Sequence, residues 1–78
     1  MATTKAYILI ESAVGQGGKV LAEMKRAKGV LSANRVTGPY DVIAVIETAE
    51  LKDVGEFITL HVHNIGGIIR TVTCLAIE

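Results

Sequence analysis

Few side chains in this sequence have the chemistry and spacing to bind or transform a small molecule. They are Asp41, the pairs Thr71/Thr73 and His61/His63, and Cys74. Asp41 follows Gly38-Pro39-Tyr40 and precedes the apolar run Val42 to Ile46. Its carboxylate can accept backbone N–H groups and pin a turn, as turn aspartates often do. Alternatively it can anchor the ammonium of a small ligand, or orient the loop that does. Thr71 and Thr73 stand two apart, so on a strand both hydroxyls point to one face. If that face adjoins the turn, the hydroxyls and the turn's backbone N–H groups could together receive a carboxylate; otherwise they are ordinary strand formers. His61 and His63 are also two apart, which on a helix separates them by about 200°. They cannot share one metal ion from a regular helix, and the plain expectation is one histidine at the core boundary and one exposed. Cys74 is expected to be a small buried filler.

The usual catalytic sets are missing. The chain has no nucleophile elbow, CxxC, HExxH or phosphate loop. Gly15-Gln16-Gly17-Gly18 lacks the lysine-serine ending of a phosphate loop and the spacing of a dinucleotide site, so it reads as a flexible break. Eight basic and eight acidic residues cancel. A nucleic-acid binder normally needs a basic face to neutralise phosphates, and the one basic cluster, Lys25, Arg26 and Lys28, fits the solvated side of a helix. A single cysteine excludes an intrachain disulfide and suits a reducing compartment. No apolar run approaches the roughly 18 residues of a membrane span. The four apolar residues ahead of Glu11 are too few for a signal-peptide core of about 7 to 15. A cytoplasmic protein without metal or cofactor is expected.

The elements that must position these residues follow from periodicity and punctuation. Lys5 to Glu11 reads as a strand, with Tyr7, Ile8, Leu9 and Ile10 apolar on both faces. Val20, Met24 and Ala27 recur at i, i+4 and i+7, predicting a helix over Lys19 to Lys28 that ends at Gly29. Val30 to Thr37 is more polar and alternating, as an edge strand would be. Gly38-Pro39 punctuates a tight turn, and Asp41 to Glu47 is a third strand, apolar on both faces. Thr48 can cap a second helix over Glu50 to Asn64, with Leu51, Val54, Phe57, Ile58, either His61 or Val62, and Ile65 inward. Gly66-Gly67 ends it, and Ile68 to Ile77 forms the fourth strand. The halves echo one another: Lys28-Gly29-Val30 after the first helix matches Gly66-Gly67-Ile68 after the second.

The order is β-α-β-β-α-β, an α+β, ferredoxin-like arrangement with a four-stranded antiparallel sheet in one domain of 78 residues. Half of the residues are hydrophobic and the mean hydropathy is +0.44, yet only Tyr7, Tyr40 and Phe57 are aromatic. Two helices cover one face of such a sheet. The other apolar face needs a second sheet, most simply a second copy face to face, giving a dimeric α/β barrel.

Two stretches carry a family resemblance. Gly38-Pro39-Tyr40-Asp41 resembles a G-x-aromatic-D signature, and Gly67-Ile68-Ile69-Arg70-Thr71-Val72-Thr73 resembles G-V-x-R-T-x-T. Flanking the second helix, they make the chain from Tyr7 to Ile77 similar to the effector-binding (RAM) domain of the Lrp/AsnC family of transcription regulators. The resemblance implies a non-enzymatic, amino-acid-binding regulatory module, a homodimer that assembles further, often as four dimers. Small molecules, typically amino acids, would bind at contacts between dimers, at Gly38, Pro39, Tyr40, Asp41, Thr71 and Thr73. Pro39 replaces a usually polar residue and removes a backbone donor, and Gly66 stands where the family commonly has proline. Family regulators carry an N-terminal helix-turn-helix, whereas this sequence starts at the first strand. It therefore resembles a stand-alone module, without direct DNA binding, that could co-assemble with full-length Lrp/AsnC regulators or buffer the effector. The alternatives are a small dimeric barrel enzyme of monooxygenase or isomerase type using His61, Tyr7 and Glu47, an ACT-like regulatory domain, and a purely structural subunit.

Overall fold

The computed structural model describes residues 2–78. Its elements are β1 (Thr4–Ser12), α1 (Gly17–Arg26), β2 (Val30–Arg35), β3 (Val42–Thr48), α2 (Leu51–Phe57) continued by a π-helical turn (Ile58–Val62), and β4 (Ile68–Leu75). The expected β-α-β-β-α-β order is thus observed. The strands form one antiparallel sheet in the order β2-β3-β1-β4. The two most apolar strands, β1 and β3, are central, and the alternating β2 is an edge.

The core follows from the two-residue period of a strand. Ala6, Ile8 and Ile10 of β1 and Val42, Ala44 and Ile46 of β3 are fully buried. Their register pairs Ala6 with Ile46 and Ile8 with Ala44, a small residue against a large one in each case. Val20 and Met24, one turn apart on α1, pack on this surface with Val54, Phe57 and Val62 from the second helical segment. The residues between them in β1 and β3 point the other way. Tyr7 is 36% exposed, while Leu9, Ile43 and Val45 are half-buried. Helices therefore cover one face of the sheet, and the opposite apolar face is uncovered in the single chain. Cys74 pairs with Tyr7 on that open face and is exposed. The expectation of a buried filler is corrected: β4 is an edge strand, and no element of this chain packs over that side of it.

Several boundaries differ for identifiable reasons. Gly17 and Gly18 are not a flexible break but form the first turn of α1. Gly17 is buried there, and a Cβ on it would lie 3.3 Å from the Arg35 guanidinium. β2 stops at Arg35, and the expected tight turn is a wider loop over 36–41. Val36 N–H closes it by donating to the Asp41 carbonyl at 2.9 Å, and Gly38 has φ +130°. The start of α2 is set by Glu50, not by Thr48. The Asp53 carboxylate accepts the Glu50 N–H at 3.1 Å, while the Thr48 hydroxyl donates to the Glu50 carbonyl at 2.8 Å. Leu51, expected in the buried stripe, lies 59% exposed.

The π-helical turn decides between His61 and Val62. His63 N–H donates to the Ile58 carbonyl, five residues back, at 2.9 Å. The extra residue in the turn makes Val62, five after Phe57, the next inward position. Val62 is fully buried, and His61 turns outward with its ring centroid 5.0 Å from that of Phe57. Both histidines are exposed, so neither sits at the core boundary. The echo between the halves is real in backbone terms: Gly29 and Gly67, each just ahead of a strand, have φ of +98° and +94°, a region open to glycine and costly for other residues. No helix is long and apolar enough to cross a membrane, and among the described residues no three metal-ligating side chains cluster.

Candidate functional site

The 36–41 loop meets the end of β1 and the start of β4 at one end of the sheet. Asp41 makes the junction. Its N–H donates to the Ile10 carbonyl at 2.8 Å and its carbonyl accepts from Val36. Its Oδ2 accepts the Ser12 N–H at 2.7 Å. Ser12 lies two residues beyond Ile10, so its N–H points to the same side of β1, where β3 begins only at Val42 and leaves that N–H without a strand partner. The Asp41 carboxylate satisfies it, which is why an acceptor side chain is needed at this position. Beside it, Ala13 N–H donates to the Gly67 carbonyl at 2.7 Å. Gly67 packs so closely on Gln16 that a Cβ would lie 2.9 Å from the Gln16 Cβ.

The two signature stretches touch through Arg70. Its guanidinium carbon lies 5.4 Å from the centre of the Tyr40 ring, and its Nε is 3.3 Å from Glu11 Oε1. Arg70 and Glu11 are register partners across β1 and β4, on the open side of the sheet. Thr71 and Thr73 stand opposite Ile10 and Ile8, so they face the helix side. Thr73 is exposed there, and Thr71 is half-buried. Thr71 lines a half-open cleft of about 270 Å³ with Val62, His63, Ile65 and Ile68, and Arg70 also borders it.

Gly38 to Asp41 are therefore joined to the fourth strand by Arg70, while the threonine hydroxyls point to the opposite face of that strand. Sequence reasoning passed over Arg70 and Glu11. The signal was available, since antiparallel pairing of the first and last strands sets the arginine of R-T-V-T against the glutamate that closes the first strand. The residues of the enzyme alternative do not converge within the chain. Tyr7 and Glu47 lie on the open side, by their pairing with Val45 and Lys5. The Glu47 carboxylate accepts the Thr3 hydroxyl at 2.7 Å, and His61 sits across the sheet on the π-helical turn.

The fold has close counterparts of known structure. FFRP-DM1 superposes with a TM-score of 0.88 at 35% identity, covering 95% of this chain and 99% of that one. The hypothetical protein PHS023 from Pyrococcus horikoshii gives 0.88 at 35% identity, covering 96% and 90%. AsnC from E. coli shares the fold with a TM-score of 0.89 at 17% identity; 96% of this chain is covered, but only 51% of that protein. No curated protein sequence matches the chain. The family profile of the Lrp/AsnC ligand binding domain matches residues 5–78. With that match spanning all the secondary-structure elements but one residue of β1, the chain belongs to the Lrp/AsnC ligand-binding domain family.

Proposed function

We propose that this protein is an amino-acid-binding regulatory module that dimerises and assembles further, with the effector held at the Gly38–Asp41 turn and the start of β4. The observation that carries the reading is the contact of Arg70 with Tyr40, which gathers both signature stretches at one rim of the sheet. On the helix side of the same strand, Thr71 lines a cleft of about 270 Å³ that Arg70 also borders. That is somewhat below the roughly 300–1,000 Å³ of pockets for drug-sized ligands, a volume suited to an amino acid. A structure of the same fold, NMB0573 from Neisseria meningitidis, was solved as an L-Met complex, which supports testing amino acids first. The Ser12 bond commits one Asp41 oxygen to the protein, which favours the role of orienting the turn; the ammonium is then received by Oδ1 or by turn carbonyls. Thr71 and Thr73, facing away from the turn of their own chain, are placed to serve a turn presented by another dimer.

The open face of Tyr7, Leu9, Ile43, Val45, Val72 and Cys74 is the dimer surface in this reading. Its apolar residues are half-buried or exposed in one chain and would be covered by the same face of a second copy. Assembly beyond the dimer then responds to the effector by linkage, because a ligand bridging two dimers favours the larger particle by its differential affinity. With basic and acidic residues in balance, the module in this reading acts on DNA through full-length Lrp/AsnC regulators with which it co-assembles, in the cytoplasm. The module has no catalytic step. The test is a melting-temperature screen of the parent protein and of Asp41→Ala against the free amino acids. The reading predicts a rise with one or a few amino acids, lost in Asp41→Ala while the dimer mass persists. An effector response unchanged by Asp41→Ala contradicts the assigned site.

A further inference from the structure

We infer that Arg70 is the receptor for the effector's α-carboxylate, and that Glu11 occupies Arg70 as a placeholder until an effector displaces it. The inference rests on the proposed effector reading and deepens it by assigning a charge-recognising residue and a competitor within the chain.

Three observations converge on Arg70. First, it is the one residue that touches the turn, borders the cleft and belongs to the fourth strand's signature: its guanidinium lies over Tyr40, and it borders the cleft with Thr71. Second, its only ion-pair partner among the described residues is Glu11, at 3.3 Å. A well-formed bond between a charged nitrogen and a carboxylate is about 2.7–2.9 Å, so this pair is loose. Third, both side chains are accessible, with 57% of Arg70 and 38% of Glu11 exposed. Exposed pairs of this kind contribute little stability, and exchanging one carboxylate for another costs correspondingly little.

The chemistry of a guanidinium suits the exchange. Its planar fork of five donors is built for two-point contact with a carboxylate, and Glu11 approaches it through Nε. The Tyr40 ring contacts the guanidinium and limits its rotation. An amino acid arriving at the rim beside Tyr40 would bring its carboxylate to the terminal nitrogens. Displaced Glu11 then leaves a carboxylate beside the ligand, where an ammonium can meet it. The charge count at the rim stays balanced: the effector adds one positive and one negative group to a site that already holds one of each. An ordinary surface pair would do none of this; removing either partner would alter stability slightly and binding not at all.

The experiment is calorimetric titration of the parent protein, Glu11→Gln, Arg70→Gln and Arg70→Lys with each of the twenty free L-amino acids. The same titration is then repeated with the carboxamide of any amino acid that binds. Removing the competitor in Glu11→Gln should tighten binding by roughly 1.5- to 5-fold, the range that a surface pair's worth implies. Arg70→Gln should weaken it by roughly tenfold or more, as loss of a hydrogen bond to a charged group does. Arg70→Lys, keeping charge without the fork, should fall between. The carboxamide should lose binding to the unmutated protein to a similar degree, a readout that does not depend on any variant folding. If the parent binds and Arg70→Gln or the carboxamide binds equally well, the inference is overturned. Weaker binding by Glu11→Gln overturns the placeholder role. If the parent binds no amino acid, the proposed function fails first and this inference with it.

Discussion

At the scale of single residues, Asp41 and Gly67 show how much of the site is held by backbone accounting. Aspartate is often a turn-former by residue type, but here its carboxylate answers a particular deficit, the Ser12 N–H left over where β3 stops at Val42. Asp41→Ala should cost about 1–3 kcal/mol in denaturant unfolding, the price of a partly buried donor left unsatisfied. Asp41→Asn keeps an acceptor oxygen and should recover most of that. Retained effector binding in Asp41→Asn would identify the turn-orienting role, whereas loss of binding in a stable Asn variant would identify a direct charge contact. Gly67 is constrained twice, by φ +94° and by Gln16 at 2.9 Å from a would-be Cβ. Gly67→Ala should cost about 2–4 kcal/mol, combining a left-handed backbone with overpacking; a change within about 0.5 kcal/mol, ordinary for a surface site, would contradict the close approach. The loop at residues 38–41 was legible because Gly-Pro and an acid before an apolar run are local signals. The bond to Ser12 was not, since it depends on the register of β1 with β3, which brings together residues 29 apart in sequence.

At the scale of elements, the sequence announced every strand and helix but not how each begins and ends. Strand identity was readable from apolar runs because β1 and β3 bury one full face and half-bury the other. The glycines at 17 and 18 misled for a physical reason. Their low helix propensity did not stop them from forming the first turn of α1, where Gly17 packs closely under the Arg35 guanidinium, a contact visible only after β2 is placed. The π-helical turn was equally hidden, since a 3.6-residue period points to His61 when read on from Phe57 and to Val62 when read on from Ile58. The two positions give a sharp contrast. Val62→Ala should destabilise the protein by about 1–3 kcal/mol, the lost burial plus a residual cavity. His61→Ala should stay within about 1 kcal/mol, since the exposed ring gives up only its packing against Phe57. Equal costs in thermal or denaturant unfolding would mean that the turn does not hold Val62 inward in solution. The mutual echo of Gly29 and Gly67 was legible, and it marks the same structural task performed twice: each glycine reverses the chain from a helix into an edge strand.

At the scale of the whole molecule, the sheet has one face too many for its helices. The uncovered face was legible in composition, because half of the residues are hydrophobic and two helices hide only one side. Which residues form the open face became clear only with the register, which sorts Tyr7, Leu9, Ile43 and Val45 from their buried neighbours. Val45→Glu, at the centre of the open face, should halve the particle's mass in sedimentation while leaving the helical circular-dichroism signal intact. Unchanged mass would place the dimer contact elsewhere. The central claim concerns assembly and effector together, so the most direct measurement is light scattering of the purified protein with and without each of the twenty amino acids. The account predicts a particle of at least a dimer whose mass or melting temperature shifts with one or a few amino acids, as ligand binding to the assembled state requires. A particle indifferent to all twenty would contradict it.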